Sequence, residues 1–114
     1  MTDHPHTPQP GRPVRGSETG VPIMALLDLL GRRWSLRVLW ELAQAPGQTF
    51  RGLQERCGGM SSSVLTTRLA ELTAAGIVAR AARGYELTAD VRALIDDLEP
   101  LDAWAKRWAR RTSW

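Results

Sequence analysis

The chain has little with which to crosslink or anchor itself. Among its 114 residues there is one cysteine, Cys57, so no disulfide closes within the chain and no all-cysteine metal site forms. A small stapled scaffold of the secreted kind is excluded. Apolar runs fall far short of the ~20 residues that a membrane helix needs, and no basic-then-apolar leader opens the sequence, so a soluble, cytoplasmic protein is expected. Paired catalytic carboxylates, a nucleophile with a histidine partner and a phosphate-cradling glycine loop are all missing, and an enzyme is not expected. His4 and His6 flank Pro5 and read as incidental rather than as metal ligands; no cofactor is expected. What is present suits one folded domain: 43% apolar and 24% charged residues, enough for a single core at this length.

Lysine is nearly absent too. Of the 15 Lys and Arg residues, only Lys106 is Lys, and Arg is the cation whose planar fork suits phosphate. Residues 30–83 hold Arg32, Arg33, Arg37, Arg51, Arg56, Arg68, Arg80 and Arg83 against Glu41, Glu55 and Glu71, a surplus of +5. Residues 86–102 hold six acids against Arg92, a surplus of −5. A basic middle followed by an acidic helix fits an anionic partner on the central segment; arginines that merely solvate helix faces are the other reading.

Residues 1–20 contain Pro5, Pro8, Pro10 and Pro13 with three glycines and almost no large apolar side chain, so a disordered tail is expected, with the folded domain over 21–114. From Pro22 the spacing turns helical. Ile23, Leu26, Leu27 and Leu30 recur at three- and four-residue steps up to Gly31; Leu36, Leu39, Trp40 and Ala43 repeat the pattern over 34–45. Thr49 is placed to cap a short third helix with Phe50 and Leu53 inward, ending near Cys57-Gly58-Gly59. Ser61 caps a fourth helix with Leu65, Leu69 and Leu72 inward and Gly76 at its close. Residues 77–80 and 85–88 then read as two strands of a small hairpin. A last helix carries Val91, Leu94, Ile95, Leu98, Leu101, Ala105 and Trp108, with Pro100 expected to kink it. Trp104 and Trp108 face either a partner or the body of the same chain.

The predicted fold class is mainly α with a small β-hairpin wing, and a short helix, a glycine turn and a second helix form a helix-turn-helix, whose second helix lies in the major groove of DNA. With the leucines of the fourth helix inward, a helical step turns Ser63, Thr67 and Ala70 outward, with Ser62 and Thr66 beside them. Ser62, Ser63, Thr66 and Thr67 are therefore the expected base-facing residues, because short hydroxyl side chains allow close approach to base edges. Arg51, Arg68, Arg80 and Arg83, with Ser61 at the helix N-terminus, are expected at phosphates, where they set register rather than read sequence.

From Val21 to Trp104 the sequence resembles the HxlR family of bacterial winged helix-turn-helix transcriptional regulators. The resemblance rests on the run from Ala25 through Gly31-Arg32-Arg33-Trp34 to Leu36, then Phe50-Arg51-Gly52-Leu53, then Ser61, Val64-Leu65, Arg68-Leu69, Glu71-Leu72 and Gly76-Ile77-Val78. Tyr85, Leu87-Thr88, Arg92, Leu94, Leu101 and Trp104 complete it. It implies a homodimer on double-stranded DNA with a roughly two-fold operator, joined through the first and C-terminal helices, here Ile23, Leu26, Leu27, Leu98, Leu101, Trp104 and Trp108. Four features depart from the family pattern: Ser63 is shorter than the usual side chain there, and only Ala79 to Gly84 separate Ile77-Val78 from Tyr85 in the wing. Val21 also stands before Pro22 where several members carry a sensing cysteine, and Val91 stands where a glycine is usual.

Two rival readings accompany this one. A winged-helix domain can serve as a protein–protein interaction module without DNA, and a small aromatic effector could sit among Trp34, Trp40 or Trp104. Cys57 lies at a helix C-terminal end, where a thiolate is not favoured, and is expected to be structural.

Overall fold

Leu39, Leu42, Leu53, Leu65 and Leu72 are fully buried and form the centre around which the chain is wound. The computed structural model describes residues 7–112. Five helices and one hairpin follow in order: α1 (Pro22–Leu30), α2 (Ser35–Gln44), α3 (Phe50–Arg56), α4 (Ser62–Ala74), β1 (Val78–Ala81), β2 (Gly84–Leu87) and α5 (Val91–Arg111).

The caps fall where the short polar side chains put them. Thr49 Oγ1 accepts from the Gly52 amide at 3.0 Å and Ser61 Oγ from the Val64 amide at 3.5 Å, opening α3 and α4. At the end of α3, Gly58 and Gly59 both take positive φ (78° and 76°), and their amides close on the Glu55 and Gln54 carbonyls. This is the turn between the two helices. Gln54 Nε2 donates to the Met60 carbonyl at 2.9 Å and holds the turn shut from the side. At the far end of α4 the Ile77 amide reaches back to the Leu72 carbonyl and the Gly76 amide to Thr73, so the chain leaves the helix directly into β1.

The hairpin is antiparallel with Val78 opposite Leu87 and Ala81 opposite Gly84, leaving Ala82 and Arg83 as a two-residue turn. Its second strand gains a neighbour that the local pattern did not announce: Gln48 bridges Tyr85, with the Tyr85 amide donating to the Gln48 carbonyl at 2.8 Å. The wing is thereby tied to the residues that lead into α3.

Two helices are turned differently from the expected stripes. In α2 the buried residues include Val38, Leu39 and Leu42, and Leu36 is 43% exposed. In α1 Ala25 and Leu29 are buried, whereas Ile23 and Leu27 are 56% and 54% exposed; the small Ala25 admits α1 to the body and sends its large side chains outward. Helix α5 runs through Pro100 as one 21-residue element. Val91 is buried and Leu94, Ile95 and Leu98 pack against the core, but beyond Pro100 the stripe is bare at Leu101, Trp104 and Trp108.

The described part of the N-terminal segment, expected as a disordered tail, contains turns, a Val14–Ser17 bridge and a buried Thr7. Ser17 Oγ accepts from the Val21 amide at 2.9 Å and the Arg15 amide donates to Asp28 at 3.2 Å, both against α1. His4 and His6 lie outside the described residues. No helix among the described residues is long and apolar enough to cross a membrane.

Candidate nucleic-acid interface

Helix α4 is amphipathic in a simple way. Leu65, Leu69 and Leu72 are buried, Ser63 and Thr67 are exposed on the opposite side, Ser62 and Thr66 are exposed beside them, and Ser61 is exposed at the N-cap. The hydroxyls are not all equivalent. Thr66 Oγ1 donates to the Ser62 carbonyl at 2.8 Å and Thr67 Oγ1 to the Ser63 carbonyl at 3.0 Å, so each threonine spends its proton on its own helix. What they offer outward is acceptor lone pairs and a methyl group, a surface suited to exocyclic amines and to the thymine methyl. Ser61 and Ser63 share one hydrogen bond at 2.9 Å, so one of their two hydroxyl protons is held between them.

The eight central arginines separate into two sets. Four are engaged in holding the body together. Glu41 takes Arg37 Nε at 2.9 Å and Arg56 Nε at 3.1 Å, and Arg37 also reaches the Arg56 carbonyl, which ties α2 to α3. Glu71, with a side chain only 5% exposed, takes Arg32 on one carboxylate oxygen and Arg68 on the other. Arg68 additionally donates from Nε to the Arg33 carbonyl at 2.7 Å. Arg68, expected at a phosphate, is engaged within the protein at Nε and Nη1, because the residues linking α1 to α2 pass beside α4 at this point.

The other four are exposed. Arg51 on α3 and Arg83 at the hairpin turn are exposed with no ion pair among the described residues. Arg80 is exposed on β1, lies 4.9 Å over the Tyr85 ring and donates to its hydroxyl at 2.7 Å. Arg33 lies over Trp34 at 6.0 Å. The basic surplus of the central segment therefore overstates the charge available to a partner.

The remaining expected residues lie elsewhere. Ile23, Leu27, Leu101, Trp104 and Trp108 are exposed, and Leu26 and Leu98 are half-buried. Trp104 and Trp108 stack on each other with ring centroids 6.3 Å apart. Trp34 packs on the core, and Trp40 lines a groove of about 330 Å³ with Leu36, Leu98 and Leu101. A larger apolar cavity of about 440 Å³ has no tryptophan and is lined by Pro8, Pro22, Ala25, Leu26, Ile77 and Leu94 among others. Cys57 is buried at the end of α3, and that burial, with Glu41 nearby, pushes its thiol above the ordinary value of 9.0 against the pull of Arg37 and Arg56.

The role of Glu71 was not legible in the sequence. A helical step places it about 120° from Leu65, on the flank of α4, where nothing local requires burial; the available signal was the three-residue spacing from Arg68.

A short helix, a tight turn, a second helix with a bare polar face and a hairpin beside it define a winged helix-turn-helix DNA-binding regulator. The chain belongs to the HxlR-like helix-turn-helix family, whose model matches residues 29–113. It is similar to quinone-bound YodB from B. subtilis, at 30% identity over 75% of this chain and 96% of that one, with a TM-score of 0.68. A possible HxlR family transcriptional factor from Thermoplasma volcanium GSS1 shares 26% identity over 78% and 85% of the two chains, TM-score 0.67. A transcriptional regulator assigned to the MarR family, from Enterococcus faecalis V583, shares 26% over 86% and 97%, TM-score 0.67. No curated protein matches the chain.

Proposed function

We propose that this protein is a cytoplasmic, sequence-specific transcriptional regulator that binds double-stranded DNA as a homodimer on a roughly two-fold operator. The observation that carries the reading is the bare hydroxyl face of α4, Ser62, Ser63, Thr66 and Thr67, together with the exposed Arg51 on α3 and the exposed Arg80 and Arg83 of the hairpin. The hydroxyls meet base edges in the major groove, and the arginines and the Ser61 end of α4 meet phosphates. The second copy docks through the outward side chains of α1 and the distal half of α5, where Ile23, Leu27, Leu101, Trp104 and Trp108 lie open to solvent. Fluorescence anisotropy against duplexes enriched from a random library tests it. With three such arginines on each copy, a dimer is expected to show a log–log salt slope of about −5. Salt-independent or sequence-indifferent binding contradicts the reading, and capture of a protein partner with flat anisotropy favours the interaction-module alternative.

A small aromatic effector is a second proposal, supported by the quinone on the similar YodB and by the apolar cavity of about 440 Å³ beneath Pro8 and Pro22. Its site is that cavity rather than the tryptophans. Release of DNA on titration with a planar aromatic compound, abolished by Ala74→Leu at the half-buried edge of the cavity with the melting temperature unchanged, tests it.

A further inference from the structure

We infer that Glu71 is a positioning residue for DNA reading: its carboxylate clamps the segment linking α1 to α2 onto α4 and so sets the rotation of α4 about its own axis. The inference rests on the DNA-binding reading above for its consequence, but not for its geometry. Both Glu71 oxygens are used, one by Arg32 from the linking segment and one by Arg68 from the preceding turn of α4. Arg68 Nε crosses to the Arg33 carbonyl at 2.7 Å, so the two segments are stitched twice, side chain to side chain and side chain to backbone.

Placement gives the clamp its leverage. The apolar stripe of α4 resists withdrawal of the helix from the core but resists roll weakly, because leucines can repack over a few degrees at small cost. Arg68 and Glu71 stand on the flank between that stripe and the exposed hydroxyls. A charge-assisted contact there opposes roll directly. The anchor on the other side is itself stiff: Trp34, next to Arg33, holds φ at 76°, the one described non-glycine residue with positive φ, and its ring packs on the core. Ser63 and Thr67 lie near the far side of the axis from the stripe, so a small roll shifts their hydroxyls sideways across a base pair, where hydrogen bonding tolerates little displacement. Phosphate contacts from the long, flexible Arg51 and Arg83 absorb the same displacement.

The test compares wild type with Glu71→Gln, nearly isosteric and uncharged, and Glu71→Asp, charged but one methylene shorter. In the free full-length protein, amide exchange in Glu71→Gln is expected to rise about tenfold over residues 32–35 and 66–72, with residues 78–87 and 91–99 unchanged. Preference for a duplex enriched by the wild-type protein over its scrambled version is expected to fall about tenfold, with affinity for the scrambled duplex unchanged or higher as Arg32 and Arg68 gain freedom. Glu71→Asp is expected to recover part of both. Uniformly faster exchange, or equal weakening of the two duplexes, marks a merely structural residue and overturns the inference, as does an unchanged preference. A wild-type protein that enriches no duplex overturns the DNA reading instead, and the local exchange pattern then decides by itself whether Glu71 couples the two segments.

Discussion

Gly84 lies directly against Gln48: a Cβ on Gly84 would stand 2.0 Å from the Gln48 carbonyl oxygen. The adjacent Tyr85 amide donates to that same oxygen, so the glycine is what lets the wing close on the residues before α3. Gly84→Ala is expected to destabilise the protein by about 1–3 kcal/mol through enforced separation of the two backbones. Thermal denaturation checks the magnitude, and faster exchange of the Tyr85 amide locates it. An unchanged melting curve contradicts the close approach.

Ser35 presents the opposite case. Its side chain is fully buried at the start of α2, and its hydroxyl has no hydrogen-bond partner among the described residues. A buried hydroxyl left unpaired costs stability, so Ser35→Ala is expected to be neutral or to stabilise by about 1 kcal/mol. Chemical denaturation of the pair of proteins measures it, and a clear loss in the variant shows that the hydroxyl has a partner in solution.

Burial raises the Cys57 thiol above its ordinary value. The folded state therefore holds the thiol proton more tightly than the unfolded state does. The resulting stabilisation is complete below the unfolded thiol value of about 9.0 and is lost as pH rises through the higher folded value. The stability difference between wild type and Cys57→Ala is expected to shrink above about pH 9. At neutral pH a thiol reagent should label Cys57 at the rate of global or local opening rather than that of a free thiol. Rapid labelling of the native protein contradicts this.

On DNA, the arginines should divide as they do in the structure. Arg51→Gln or Arg83→Gln is expected to weaken all duplexes alike and to flatten the salt slope by about 0.9 for each phosphate no longer neutralised, twice that for a dimer. Arg68→Gln should leave the salt slope intact because Arg68 is committed to Glu71 and the Arg33 carbonyl. Thr67→Val removes the acceptor but keeps a methyl, and is expected to change preference at single base pairs by about 1–3 kcal/mol. Identical effects from Arg51 and Arg68 would contradict the division.

Leu101 is 59% exposed beside Trp104 and Trp108, on the half of α5 that leaves the body. Leu101→Arg is expected to convert a dimer to a monomer in sedimentation equilibrium with the circular dichroism of the monomer fold retained. A wild-type protein that is monomeric at tens of micromolar, roughly where a standard-size interface is already occupied, contradicts the proposed interface.

Much of this protein was decided within short stretches of its sequence. The helix starts at Thr49 and Ser61, the glycine turn after Cys57, the inward Leu65, Leu69 and Leu72 and the outward hydroxyls of α4 depend on neighbours a few residues away, and capping and periodicity act over that range. Tertiary packing decided the rest. It determined that Arg56 would join the helical Arg37–Glu41 pair and that Arg32 would join the helical Arg68–Glu71 pair, while no described carboxylate reaches Arg51 or Arg83. It turned Leu36, Ile23 and Leu27 outward and gave Gly84 its partner in Gln48. An ion pair or an exposed leucine depends on which distant elements meet in space, and identical arginines carry no local mark of whether a carboxylate will reach them.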